Sequence, residues 1–180
     1  MPLMANDDVM RAETLFHKIR TITADFVQVA SDGTSAKGKL AFRRPSRMKI
    51  TYGKGDELPL ITSSIWLHVD RRDERLLTSY PISDTQLSLI LADKVLLRLD
   101  GYETRILPSI AGIVRIQIGK DDGEGAGRLT LEFSEKPFQF RRWIVLDAAG
   151  IETSVTLQNI VYDQPVANEV FRLPAYSDGN

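Results

Sequence analysis

Polar and apolar residues alternate along residues 38–52, GKLAFRRPSRMKITY. A period of two is typical of a β-strand with one face on the core and one face in water. The odd positions carry mostly lysine, arginine or threonine. The even positions carry apolar side chains, which are Leu40, Phe42, Met48, Ile50 and Tyr52. The pattern therefore predicts one strand, or two strands joined at Pro45, with these apolar side chains on the core side.

Arg44 departs from the alternation, because its even position places a guanidinium group on the apolar side. Arginine is always charged, and burying it is costly unless its donors find acceptors. Two interpretations remain open. In the first, Arg44 lies at the end of a strand and extends its charged group out to water. In the second, it projects into an apolar cavity and holds a mobile element through that element's backbone carbonyls.

The flanking sequence predicts one helix followed by many strands. Apolar residues recur at helical spacing over residues 8–20, where Asp7 and Asp8 favour a helix start. We expect this helix to pack on the core, and a surface-binding amphipathic helix is the alternative. Residues 60–69 are predicted to form a single strand in which Trp66 shares a face with His68. A slip of the alternation near Asn159 predicts a β-bulge.

Residues 82–100 contain two short leucine-rich runs separated at Asp93. Ser83 and Gln86 match the spacing of a capping box, so the runs predict two short helices. They are either ordinary core helices or a movable apolar lid.

Together these elements predict a mainly β domain with some α-helix, spanning residues 1–180. We expect an unclosed, strongly curved antiparallel β-barrel of about 9–11 strands, judged from typical strand lengths. The helix at 8–20 and the lid helices at 82–100 would cover its concave face, and an imperfect fit would leave an apolar cavity. Residues 1–7 are expected to be disordered or foreign to the natural chain, and residues 175–180 to form a tail.

Composition narrows the function without identifying it. The formal net charge of −1 and the dispersed basic residues do not predict a nucleic-acid partner. The absence of cysteine excludes thiol catalysis, disulfides and cysteine-based zinc sites. Neither a nucleophile elbow nor a carboxylate pair stands out, so we expect no enzyme activity, catalytic residue, metal site or cofactor. The chain shows no signal peptide, which fits either a cytosolic protein or a mature exported one.

Several motifs, taken in order, resemble those of LolA-type outer-membrane lipoprotein carriers. They are ADFVQ at 24–28, GxLxFxRP at 38–45, IWLHVD at 65–70, WIVLDxxG at 143–150, TxVxLxN at 153–159 and FxLP at 171–174. Each motif is weak alone, whereas their order and spacing together are fairly specific. The sequence departs from the family at Met48 and Ile50, where aromatic residues are usual.

The resemblance implies a monomeric periplasmic shuttle and chaperone that needs no cofactor. It would take acylated lipoproteins, or other lipids, from an inner-membrane lipoprotein-releasing ABC transporter and pass them to an outer-membrane acceptor. The signal peptide would have been removed. Arg44 would hold the lid closed in the empty form. The residues expected to line the cavity and contact cargo are Leu40, Phe42, Met48, Ile50, Tyr52, Trp66, Leu87, Ile90, Leu91 and Phe133. The alternative is a periplasmic receptor or sensor domain of the same fold, similar to LolB or to stress sensors.

Overall fold

The computed structural model describes residues 3–53, 59–63, 65–81, 88–120 and 127–176, with side chains from residue 7 onward. Two α-helices, α1 at Leu3–Lys18 and α2 at Ser88–Leu91, and a 3-10 helix at Asn168–Phe171 lie within these ranges. The strands are β1 Thr21–Ala30, β2 Ser35–Arg43, β3 Arg47–Tyr52, β4 Leu60–Ser63, β5 Trp66–Arg71, β6 Leu76–Pro81, β7 Tyr102–Ile106, β8 Ile113–Lys120, β9 Arg128–Glu135, β10 Phe138–Leu146 and β11 Glu152–Tyr162.

The eleven strands form one antiparallel sheet in the order β6-β5-β4-β3-β2-β1-β11-β10-β9-β8-β7. Neighbouring strands are mostly consecutive in the chain, and the pairing of β1 with β11 joins the two halves of the sheet. The strands β6 and β7 end the sheet, so the barrel is not closed by strand pairing. The predicted fold class, an open antiparallel sheet with an N-terminal helix, is confirmed.

Helix α1 packs inside the curve of this sheet. The ring of Phe16 lies 5.8 Å from that of Phe133 on β9 and 5.2 Å from that of Phe140 on β10. It also lies 5.9 Å from the guanidinium carbon of Arg44, which follows β2. Strands β2 and β9 are four positions apart, about 19 Å in a flat sheet. One side chain can contact both regions only because the sheet curves around the helix.

The alternation predicted for residues 38–52 is present across the β2–β3 pair. Leu40 pairs with Ile50 and Phe42 with Met48, and all four side chains are at most 5% exposed. Their neighbours at odd positions therefore lie on the outer face of the sheet. The expectation of two strands joined at Pro45 is confirmed, since β2 ends at Arg43 and β3 begins at Arg47.

The predicted irregularity near Asn159 is also confirmed. The register between β1 and β11 shifts between Thr23 and Asp25, opposite Asn159. Asn159 has a φ of 49°, a left-handed conformation that asparagine tolerates better than most residues. Its side-chain Nδ2 donates a hydrogen bond of 2.8 Å to Oδ2 of Asp25. The bulge is therefore held by a side chain from the neighbouring strand.

Three boundary predictions need correction. Helix α1 begins at Leu3, before the predicted start at Asp8, and Asp8 pairs with Arg11 within the helix. Residues 3–7 are therefore helical and not disordered, and the helix ends at Lys18 instead of residue 20. The single strand expected at 60–69 is a hairpin, since β4 and β5 pair with each other.

The second predicted lid helix does not form. After α2, burial alternates: Val95 and Leu97 are fully buried, whereas Leu96 is 37% exposed. A period of two marks an extended chain and not a helix. In this segment, therefore, only every second side chain packs on the core.

Gly38 on β2 lies where no side chain fits. An added Cβ would lie 1.9 Å from the carbonyl oxygen of Thr51 and 2.8 Å from the ring of Phe26. We therefore expect Gly38→Ala to lower the free energy of unfolding by about 3 kcal/mol, measured by urea denaturation.

Gly119→Ala on β8 is the matched control, because its Cβ would meet only the flexible side chain of Arg128, at 3.2 Å. Alanine is favoured over glycine inside a strand by about 0.5–1 kcal/mol, so this variant should be neutral or slightly more stable. Equal unfolding midpoints for Gly38→Ala and the unmodified protein would refute the close approach.

Candidate functional site

Most of the side chains expected to line a cavity lie together on the inner face of the sheet. Leu40 and Phe42 on β2, and Met48 and Ile50 on β3, are buried there. Phe133 on β9 is fully buried and stacks on Phe138 at 5.0 Å. The side chains of Ile90 and Leu91 on α2 belong to the same buried apolar cluster. The sequence-predicted set is thus largely brought into one place.

This cluster is a packed core that α1 completes. Val9, Ala12 and Phe16 of α1 contact it and are at most 2% exposed. Val95 and Leu97 add buried side chains from the segment after α2. The inner face is therefore covered by the protein's own apolar groups, and an acyl chain could enter only by displacing some of them.

Of the three remaining predicted residues, Tyr52 also packs against this cluster. Tyr52 is half-buried at the end of β3, where burial raises the pKa of its hydroxyl and its OH donates to Gln28. Trp66 is 43% exposed and lies on the outer face, because Leu67 of β5 packs against the core instead. The expected position of Trp66 in the cavity is therefore corrected. Leu87 lies outside the described residues.

We define the lid as residues 88–99, which comprise α2 and the extended segment that follows it. The backbone of the lid is hydrogen-bonded to the sheet, in addition to the packing of its apolar side chains. Nη1 of Arg44 donates to the carbonyl oxygen of Ala92 at 2.7 Å, and Nη2 donates to that of Ile90 at 3.2 Å. The backbone amide of Ser46 donates to the carbonyl of Leu91 at 3.2 Å. Three consecutive lid carbonyls thus accept hydrogen bonds from the β2–β3 turn.

The guanidinium group of Arg44 is enclosed by apolar surface. Its central carbon lies 5.9 Å from the ring centre of Phe16 and 5.6 Å from that of Phe42. Burial lowers the pKa of Arg44, and the carboxylate of Asp93 offsets part of that shift. The buried Nε has no hydrogen-bond partner among the described residues. The charge of Arg44 is therefore only partly compensated. Its hydrogen bonds to the lid carbonyls consequently contribute more to stability than hydrogen bonds between neutral groups would.

The turn that presents Arg44 is itself fixed by several hydrogen bonds. The amide of Arg44 donates to the carbonyl of Arg20 at 2.9 Å. The hydroxyl of Thr62 donates to the carbonyl of Ser46 at 2.8 Å and accepts from the amide of Met48 at 2.7 Å. Thr62 is 1% exposed, so this bridge between β3 and β4 is fully buried. Arg44 thus projects from a rigid support.

A second attachment of the lid comes from α1. The carboxylate of Glu13 accepts a hydrogen bond of 2.7 Å from the amide of Leu97. The hydroxyl of Thr104 on β7 donates to the carbonyl of the same Leu97. Sequence reasoning missed Glu13, since a glutamate on an amphipathic helix has the appearance of an ordinary solvent-facing residue.

The outer face of the sheet carries the C-terminal segment. Nη1 of Arg43 donates to the carbonyl of Val166 at 2.7 Å, and its guanidinium lies 5.2 Å from the ring centre of Phe171. Further along, the hydroxyl of Tyr176 bonds the fully buried carboxylate of Asp70. Burial also lowers the pKa of His68 on this face. Arg43 and Arg44 therefore hold different segments on opposite faces of the sheet.

Residues 17–174 match the protein family described as "Outer membrane lipoprotein carrier protein LolA". No curated protein matches the sequence closely enough to count as a relative. Within the described residues, no helix has the length and apolar character needed to cross a membrane.

Solved structures of low sequence identity share the fold. An uncharacterized conserved protein from Thermus thermophilus has a TM-score of 0.56 at 8% identity, with 94% of each chain covered. MucB has a TM-score of 0.55 at 14% identity, with 96% of this chain and 64% of MucB covered. MucB in complex with MucA(peri) has a TM-score of 0.50 at 13% identity, with 94% of this chain and 60% of that chain covered. The chain thus spans a little under two thirds of MucB.

The contact between Glu13 and Leu97 predicts a measurable effect on the lid. Glu13→Ala removes an ionised acceptor, and hydrogen bonds to charged groups contribute about 1.5–3 kcal/mol. We expect amide hydrogen exchange at Leu97 to accelerate by about tenfold, because about 1.4 kcal/mol corresponds to that factor. Amides in the β1–β2 pair should exchange as before.

Glu13→Gln is the matched control, since its side-chain oxygen can still accept the hydrogen bond without a charge. Its exchange rate at Leu97 should lie between those of the unmodified protein and Glu13→Ala. Exchange at Leu97 that is unaffected by either substitution would show that Glu13 does not hold the lid.

Proposed function

Because the chain belongs to the LolA family, we propose that it is a periplasmic carrier of lipoproteins. It would bind their acyl chains between the lid and the inner face of the sheet and shuttle them from the inner to the outer membrane. Its partners would be an inner-membrane lipoprotein-releasing ABC transporter and an outer-membrane acceptor. No catalytic step is part of this proposal.

The observation that supports the proposal most strongly is the attachment of the lid by Arg44. Its guanidinium lies on the apolar inner face and donates to the carbonyls of Ile90 and Ala92. An ordinary core would place an apolar side chain here, since burying a charge is expensive. Hydrogen bonds from a charged group to backbone carbonyls do not depend on the identity of the lid's side chains. Such bonds suit a contact that must break and form again.

Loading would exchange one apolar occupant for another. The lid contributes Ile90, Leu91, Val95 and Leu97 to the core, and these side chains would leave it as acyl chains enter. Each methylene group removed from water contributes about 0.8 kcal/mol. Two hydrogen bonds from a charged donor contribute about 3–6 kcal/mol in total, taking about 1.5–3 kcal/mol for each. Burial of about four to eight methylenes would offset their loss.

Release would use the same balance in reverse. An empty carrier whose lid closes is at lower free energy than one whose inner face is exposed to water, so closure favours delivery to an acceptor. Arg44 would supply part of this bias. A variant that lacks it would be easier to load and would hold its cargo longer.

The second candidate function is a sensor or receptor domain of the same fold. It is favoured by the packing of the inner face, where Phe16, Met48 and Phe133 are at most 2% exposed. If the lid never opens, the domain would bind a protein or lipid on its surface and carry nothing.

Binding of a fluorescent fatty-acyl probe separates the two candidates. We expect saturable binding by the unmodified protein, and binding at least about tenfold tighter by Arg44→Leu, because fewer interactions oppose lid opening. Transfer of bound probe to acceptor vesicles should be about tenfold slower for Arg44→Leu. Transfer at the unmodified rate would refute the role of Arg44.

Ile50→Glu should abolish probe binding, because it places a carboxylate on the inner face. Thr51→Glu introduces the same residue one position along β3 on the outer face, and it should bind normally. Circular dichroism would establish that both variants are folded. If Ile50→Glu fails to fold, Met48→Gln, a milder polar substitution on the same inner face of β3, replaces it and should weaken binding. Absence of probe binding by the unmodified protein would favour the sensor.

A further inference from the structure

The outer faces of β2 and β3 carry a ladder of basic side chains. Lys37 and Lys39 on β2 alternate with less exposed residues, as do Arg47 and Lys49 on β3. Asp25 is the single acidic residue within β1, β2 and β3. It lies 3.4 Å from Lys39 in an exposed ion pair, a type of contact that contributes little stability. Among the described residues, Lys37, Arg47 and Lys49 have no partner.

Two arginines on the other half of the sheet share one acidic partner. Arg115 on β8 lies 3.0 Å from the carboxylate of Glu132 on β9, and Arg142 on β10 lies 3.7 Å from the same carboxylate. Arg43, which shares the outer face with the ladder, is bonded to the C-terminal segment. Because Lys37, Arg47 and Lys49 have no partner among the described residues, their charges are available to a group from outside the described chain.

A groove of about 460 Å³ lies within this basic surface. Lys39 and Lys49 line it together with Ala41, whose small side chain leaves the space between the two lysines. Thr51 and Asn159 add polar groups, and Val170 of the 3-10 helix adds an apolar contact. Binding sites for small ligands and peptide side chains have volumes of about 300–1,000 Å³.

We propose that this groove is a docking site for an extended, acidic peptide segment of a protein partner. The ligand chemistry follows from the spacing of the cations. Lys37 and Lys39, and likewise Arg47 and Lys49, are two residues apart on a strand, about 6.6–6.8 Å along it. Carboxylates at alternate positions of an extended peptide have the same spacing. A peptide that runs along the groove can therefore pair successive acidic side chains with successive cations.

A peptide fits this surface better than an anionic membrane does. The groove is recessed beside the 3-10 helix, where a planar bilayer surface cannot follow it. Thr51 and Asn159, which line the groove, can hydrogen-bond a peptide backbone. Basic side chains at the rim would also accelerate association with an acidic partner, in a manner that salt suppresses.

The direct test is calorimetric titration with a blocked peptide in which glutamate and serine alternate. We expect saturable binding that weakens at high salt. Lys39→Glu combined with Lys49→Glu should weaken it by at least about tenfold, since like charges would then face each other. Lys120→Glu combined with Lys136→Glu changes the net charge equally at exposed sites outside the groove, and it should weaken binding by about twofold or less.

Three further measurements distinguish binding of the peptide in the groove from attraction by charge alone and from an effect on the inner face. Ala41→Phe keeps every charge and fills the groove with a residue that strands accept, and it should also block the peptide. A peptide in which glutamine replaces glutamate should not bind. Binding of the fatty-acyl probe by the Lys39→Glu/Lys49→Glu variant should be unchanged, because the groove and the inner face are on opposite sides of the sheet.

Three results would overturn the proposal. One is equal binding of the glutamine peptide, and another is equal weakening by the two double variants. The third is binding to phosphatidylglycerol vesicles, lost in Lys39→Glu/Lys49→Glu, without any binding of the acidic peptide. That result would assign the surface to the membrane.

Discussion

The burial of one guanidinium group between a sheet and a lid is the constraint on which the rest of the molecule depends. Arg44 reaches backbone carbonyls of the lid from a position whose neighbours in sequence alternate between core and water. Its guanidinium carbon lies 5.9 Å from the ring centre of Phe16 and 5.6 Å from that of Phe42. The carbonyls of Ala92 and Ile90 offset part of the cost of this burial, and a displaced lid would leave the charge without these acceptors.

The chain supports this arrangement from three directions. The β2–β3 turn is fixed by the buried hydroxyl of Thr62, and α1 supplies both the ring of Phe16 and the carboxylate of Glu13. The C-terminal segment is held on the outer face by Arg43, the residue next to Arg44. Arg43, at the end of β2, and Arg44, which follows it, thus hold covers on opposite faces of the sheet.

The sequence predicted the face of the sheet correctly wherever that face is set by the position of a residue within its own strand. The alternation of odd and even positions predicts the inner face of β2 and β3, the unusual position of Arg44 and the bulge at Asn159. The alternation gave a wrong prediction at residues 60–69 because a turn divides the segment. The face on which Trp66 lies could not be inferred across that turn. The run Val95–Leu99 was misread because leucine is common in helices and equally able to pack from an extended chain. Glu13 was not identifiable, since its partner is 84 residues away in the chain.

The distance between the lid and the sheet, measured by electron paramagnetic resonance, tests the central claim most directly. The chain has no cysteine, so Lys94→Cys and Val161→Cys would provide the only thiols for two spin labels, both at exposed positions. The proposed mechanism predicts one narrow distance distribution for the empty protein and a shift to longer distances when acylated cargo binds. It also predicts a broader distribution for the empty protein when Arg44 is replaced by leucine. An unchanged distribution on cargo binding, in a protein that demonstrably binds it, would contradict the claim that the lid opens to admit acyl chains.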